Sequence, residues 1–146
     1  MKYIHCKGFT LVELIVVMVI LGVLAVSLLP RFFSSSGSSE YLYQDQLLNL
    51  LRRVQMQAMQ CSGCVTPTVN ISSSTILVAG SSCGDDNSLA LCPVAHDNIS
   101  FISSAGAIGF DSLGRPQGCI GGCQLTVQGE AALRVCIETE GYIHPC

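Results

Sequence analysis

From Phe9 to Leu29 the chain is apolar at almost every position, with Glu13 as its only charge. A run of about twenty residues, rising about 1.5 Å each, is long enough to cross a hydrocarbon layer, so the pattern predicts a membrane-spanning helix carrying an acid near its start. A carboxylate costs on the order of 2.5–3.5 kcal/mol at mid-membrane and less near the edge, so a partner or a function for Glu13 is the default expectation. Pro30 then removes a backbone donor and crowds the preceding turn, which predicts a kink. Ser34-Ser35-Ser36-Gly37-Ser38-Ser39 has poor helix propensity and reads as a flexible neck or a locally melted part of one long helix. Helical periodicity resumes over residues 40–60, where Leu47, Leu51, Val54 and Ala58 recur at helical spacing with Leu48 and Met59 beside them, and Arg52 and Arg53 face solvent. That stripe predicts a helix packed on a sheet, because a coiled coil would need more heptads. From residue 65 onward the pattern shortens to β-rich runs at 68–71, 75–78, 99–102, 107–110, 124–127 and 133–138, divided by Gly, Ser, Asn, Asp and Pro. The expected fold is α+β, an amino-terminal helix laid on an antiparallel sheet.

The apolar run opens with Lys7-Gly8-Phe9-Thr10-Leu11-Val12-Glu13. This arrangement resembles the type III signal of type IV pilins and pseudopilins: a short basic leader, a glycine before the cut, a phenylalanine after it and a glutamate at the fifth mature position. The likeness covers residues 7–30. It implies that a membrane prepilin peptidase cuts after Gly8 on the cytoplasmic face and methylates the new amino terminus at Phe9, with Glu13 acting in subunit recruitment. Phe9 and Glu13 are four apart and share a helix face, so the released ammonium can neutralise the carboxylate of its own or an adjacent subunit. The implied division is a cleaved leader over 1–8, a transmembrane and filament-core helix over 9–30, a stem over 31–60 and a β-rich head over 61–146, the pilin fold. Two plainer readings explain less. A secretory signal has a core of about 7–15 residues and a small-residue cleavage site; a signal anchor accounts for Lys2 and Lys7 but leaves Glu13 and the Gly8-Phe9 junction without a purpose.

Composition agrees with a chain shared between a membrane and an oxidising exterior: 49% of the 146 residues are hydrophobic and only 12% are charged. About thirty residues of leader and membrane helix leave room for one small domain. Of nine cysteines, Cys6 would leave with the leader. Cys61, Cys64, Cys83, Cys92, Cys119, Cys123, Cys136 and Cys146 remain, an even set suited to four bridges outside the membrane. Spacing alone cannot choose among on the order of a hundred connectivities; the sequence-local pairs Cys61–Cys64, Cys83–Cys92, Cys119–Cys123 and Cys136–Cys146 are the guess. Cys61-Ser-Gly-Cys64 has redox-motif spacing, but it follows a helix instead of starting one, so the dipole acts in the wrong direction. Zinc on Cys61/Cys64, Cys119/Cys123, His96 and His144 is the other reading, yet exported paired cysteines usually oxidise. No metal and no cofactor are expected.

In the carboxyl half, Phe110-Asp111-Ser112-Leu113-Gly114-Arg115-Pro116, then Leu133-Arg134-Val135-Cys136-Ile137-Glu138 and Gly141-Tyr142-Ile143, resemble the end of the secretion-pseudopilin H and FimT-like minor pilins, and within them those of mannose-sensitive haemagglutinin pili. Asp111 to Pro116 also reads as a hairpin connection on turn chemistry alone. Some members of that group bind DNA through a basic patch. Here loss of Lys2 and Lys7 from seven basic and ten acidic residues leaves a formal charge of −5 before the new amino terminus counts, so attraction for phosphate is weak and nucleic acid is not an expected partner. No Gly-x-Ser-x-Gly elbow and no triad or ligand spacing is present, so no enzymatic activity is expected. The resemblance implies a minor pilin in the bacterial inner membrane, its carboxyl-terminal domain periplasmic, later carried into a pilus. Its implied partners are other pilins, the peptidase and the assembly platform. The alternatives are a type II secretion pseudopilin and a DNA-uptake pilin.

Overall fold

The structure, a computed structural model, describes residues 10–33, 39–60, 63, 65–84 and 89–146, without the side chains of 27–33. It divides into two compact units, Met1–Ser35 and Ser36–Cys146. The first holds helix α1, Leu11–Phe33. Backbone helicity continues through position 30, because a proline inside a long apolar helix can be carried at the cost of one hydrogen bond. Side chains along α1 from Leu11 (75% exposed) to Val26 are exposed. Among the described residues no helix is long and apolar enough to cross a membrane; the span expected over 9–30 includes Phe9 and side chains past Val26, which lie outside them. So do residues 34–38 of the expected neck, whereas Ser39 already belongs to the second helix.

Among the described residues, the second unit is built on α2, Ser39–Gln60, and nine short strands. These are β1 Val69–Ile71, β2 Ile76–Val78, β3 Ala90–Leu91, β4 Ser100–Ser103, β5 Ala107–Phe110, β6 Pro116–Gln117, β7 Cys123–Gln128, β8 Ala132–Ile137 and β9 Ile143–Pro145, with a single 3-10 turn at Ala95–Asp97. Instead of the one sheet expected, they form two, ordered β3-β2-β1-β5-β6 and β4-β7-β8-β9, with every pairing antiparallel. The second sheet shows the period of two: Cys123, Leu125 and Val127 point inward while Gln124 and Thr126 point out.

Helix α2 packs against strands of both sheets, which widens its buried arc. Leu47, Leu51, Val54 and Ala58 are fully buried, and Leu48 nearly so. Tyr43 and Leu50, on the flanks of that stripe, are buried too, while Met59 is 54% exposed and does not join the core. One sheet would need only the stripe; two sheets meeting one helix need its flanks as well.

At the start of α2, Glu40 is 1% exposed. Its Oε1 accepts the Glu130 and Ala131 backbone N–H groups of the β7–β8 turn, while Oε2 is buried without a hydrogen-bond partner among the described residues. Its own backbone N–H, and then those of Glu130 and Ala131, hold the carboxyl below its ordinary value against the opposing effect of desolvation. The depressed value means that the contribution of Glu40 to stability is present above the ordinary 4.5 and is lost as pH falls through the folded value. Calorimetric unfolding of the oxidised chain in detergent should therefore show a midpoint that drops below pH 4.5, and Glu40→Gln should flatten that drop while lowering the midpoint at neutral pH.

Candidate functional site

Helix α1 begins where the expected processing site ends. Thr10 lies just before its first residue, and Thr10 Oγ1 accepts the Glu13 backbone N–H at 3.2 Å, while the Thr10 carbonyl accepts the Leu14 N–H at 3.3 Å. Thr10-Leu11-Val12-Glu13 is thus a capping-box sequence, with an acid in the first turn where the helix dipole favours it. The signal was present in the sequence, in the same residues that suggested a charge-pair role. The Glu13 carboxylate itself has no hydrogen-bond or ion-pair partner among the described residues. Gly8 and Phe9 lie outside the described residues, and with them the cleavage junction and the amine expected to meet Glu13.

In the head, sulfur–sulfur bonds join Cys83 to Cys92, Cys119 to Cys123 and Cys136 to Cys146; Cys61 and Cys64 lie outside the described residues. The second bond clips the start of β7, and the third ties the last residue to β8. Closing such loops stabilises a small domain by restricting its unfolded chain. His96 pairs with Asp97 at 3.1 Å and His144 with Glu138 at 3.0 Å, and among the described residues no group of acids, histidines and cysteines could hold a metal ion.

The motif residues of the carboxyl half converge. Asp111 Oδ1 accepts the Leu113 and Arg115 backbone N–H groups at 3.0 and 2.8 Å, and Oδ2 accepts Arg115 Nε at 2.9 Å. These bonds, the Arg115 N–H foremost, hold the Asp111 carboxyl below its ordinary value. They shape the β5–β6 turn, in which Gly114 takes φ +81°. Gln55 on α2 then donates from Nε2 to the Gly114 carbonyl at 2.7 Å and the Gly141 carbonyl at 2.6 Å, so turns from two different sheets meet on one amide. At Gly141, φ is +92° and a Cβ would lie 2.1 Å from the Gly114 carbonyl oxygen; only glycine fits. Arg52, although exposed as expected, donates to the Ile143 carbonyl at 3.1 Å. Sequence reasoning found both turn motifs but not Gln55, because nothing local marks a partner some sixty to ninety residues away.

Beyond that knot, the rings of Tyr142 and His144 stack with centroids 4.8 Å apart, and the Glu138 hydrogen bond raises the His144 pKa. Arg134, also singled out from sequence, projects from β8 and is not brought near Asp111 or Arg115 by any bond. Its carbonyl accepts Gln44 Nε2 at 2.8 Å.

Residues 4–29 match the family described as the prokaryotic N-terminal methylation motif, a stretch that takes in Gly8, Phe9 and Glu13. Comparison with curated proteins gives no match, and neither does comparison with solved structures.

Crowding at the two-turn knot separates its glycines from open ones. Gly141→Ala should lower the unfolding midpoint strongly in urea titration, whereas Gly106→Ala, with nothing within 4 Å of the added carbon and no left-handed backbone, should leave it within experimental error.

Proposed function

We propose that this protein is a minor pilin of a type IV pilus. The methylation-motif match over residues 4–29 carries the reading, because it covers the Gly8-Phe9 junction and Glu13 together. Two features of the chain support it. The Glu13 carboxylate has no partner of its own among the described residues, and the side chains of α1 through Val26 are exposed apolar groups that need another surface or lipid to cover them.

In this reading the chain enters the inner membrane by residues 9–30 with its head in the periplasm. Prepilin peptidase cuts after Gly8 and methylates Phe9, and the head oxidises its cysteines, Cys61 and Cys64 included. The assembly platform then draws the subunit into a filament. Glu13 of the entering subunit pairs with a Phe9 ammonium as the apolar helix leaves lipid for packing against its neighbours. The chain serves as a peptidase substrate and a building block, not as a catalyst. The carboxyl-terminal motifs resemble those of minor pilins such as MshC of mannose-sensitive haemagglutinin pili, and on that resemblance we place the subunit in a priming or tip position that supports surface attachment. A type II secretion pseudopilin would use the same amino-terminal segment.

Glu13→Ala subunits should be cleaved normally but enter filaments poorly. Quantitative immunoblotting of sheared pili against the membrane fraction reads the ratio, and equal incorporation of variant and parent subunits would remove the charge pair from the mechanism.

A further inference from the structure

We propose that the outward face of the four-stranded sheet binds an acidic oligosaccharide, with Arg134 taking a carboxylate and Gln124 and Thr126 taking ring hydroxyls. The register sets two rows of outward side chains across the strands. Ile102, Thr126 and Arg134 form one row, and Gln124, Cys136 and His144 form the next. Neighbouring strands lie about 4.8 Å apart and alternate residues about 7 Å apart, so the two rows cover an area the size of a disaccharide. The surface there carries two shallow, open hollows. A hollow of about 390 Å³ lies against Ile102, Ser103, Ser104, Gln124, Thr126 and Arg134, and a second of about 300 Å³ adjoins it, sharing Ser104 and Gln124 and ending at Glu138.

The unused valence of this trough defines its ligand. The Ser104 hydroxyl oxygen accepts the Gln124 backbone N–H at 3.1 Å, which leaves its hydroxyl proton to donate. The side chains of Gln124, Thr126 and Arg134 make no hydrogen bond or ion pair among the described residues. A trough of hydroxyl, amide and guanidinium groups with one apolar side chain, Ile102, fits a ring that presents hydroxyls at its edge and C–H groups on its face. Among the described residues lining the trough Arg134 is the one permanent cation, and Glu138 stands at its far end, so the ligand that fits carries isolated anionic groups separated by neutral rings. A nucleic acid, with a charge on every unit, calls for a run of cations, and among the described residues this face offers Arg134 alone.

The backbone beneath is held before any ligand arrives. The Cys119–Cys123 bond anchors the entry of β7, and the Cys136–Cys146 bond crosses from β8 to the end of the chain. Fixed strands in place of loops reduce the ordering cost of binding.

Isothermal titration of the full-length oxidised chain in detergent micelles tests the proposal, with a hyaluronan octasaccharide, a neutral chito-oligosaccharide of equal length and a single-stranded DNA octamer as probes. Only the hyaluronan fragment should bind. Arg134→Gln should weaken it roughly tenfold or more, as loss of a charge-assisted hydrogen-bond pair does, Arg134→Lys should weaken it less, and Thr126→Val should weaken it with the charge intact. Arg115→Gln, whose guanidinium already pairs with Asp111, should bind like the parent. Circular dichroism of each variant reports folding separately. Absence of hyaluronan binding, equal binding of the neutral oligosaccharide, preference for DNA, or a folded Arg134→Gln that binds as the parent does would each overturn the assignment. Binding by the uncut and the cut chain alike keeps this test independent of the pilin reading, which stands or falls on processing and filament entry.

Discussion

A long exposed run of apolar side chains has no stable place in water, and from Leu11 to Val26 helix α1 is apolar at every position but Glu13. Its side chains from Leu11 to Val26 are exposed, and covering them is worth on the order of 25 cal/mol for each Å², a gain that lipid or other chains supply in the proposed reading. Glu13 sharpens that demand. The Thr10 hydroxyl accepts its backbone N–H, while its carboxylate has no partner among the described residues; in the proposed reading an added positive charge completes it. In the proposed reading, that apolar surface and a carboxylate without a partner among the described residues together mark a segment finished by assembly.

The head solves a different problem, that of a small domain with few aromatics and no tryptophan. One helix is shared between two antiparallel sheets, so Leu47, Leu51 and Val54 serve the core alongside Phe110, Leu125 and Ile137. Polar pins reinforce it at both ends of α2: Glu40 on the Glu130–Ala131 turn near the beginning, and Gln55 on Gly114 and Gly141 near the end. The disulfides hold the short outer strands. Phe101 donates its N–H to the Ser73 carbonyl at 2.9 Å, which joins β4 to the turn between β1 and β2.

How much of this could be read from the chain depends on the reach of each signal. The stripe of Leu47, Leu51, Val54 and Ala58 was legible because its period persists over three turns, and Ala107–Phe110 was legible because turn residues bound it on both sides. Leu50 and Tyr43 were not, since their burial comes from a second sheet that local periodicity does not report. Ala90–Leu91, Pro116–Gln117 and Ile143–Pro145 are too short to show alternation. They exist because longer neighbours, the Cys83–Cys92 and Cys136–Cys146 bonds, and the Arg52 hydrogen bond hold them. In the candidate sites, the Asp111 turn was legible from its residues, whereas Gln55 and the buried Glu40 find their partners far along the chain. Thr10 was the opposite case: its capping role is written within four residues, but the acid at Glu13 drew attention to charge alone.

The proposal that processing creates the partner of Glu13 requires a new amino terminus at one defined bond. Intact-mass spectrometry of the protein recovered from cells that carry the peptidase, followed by sequencing of its first residues, reads that bond directly. A chain that begins at Phe9 with one added methyl group agrees with it. A chain that keeps Met1 to Gly8, or that is cut on the far side of the apolar run, contradicts it.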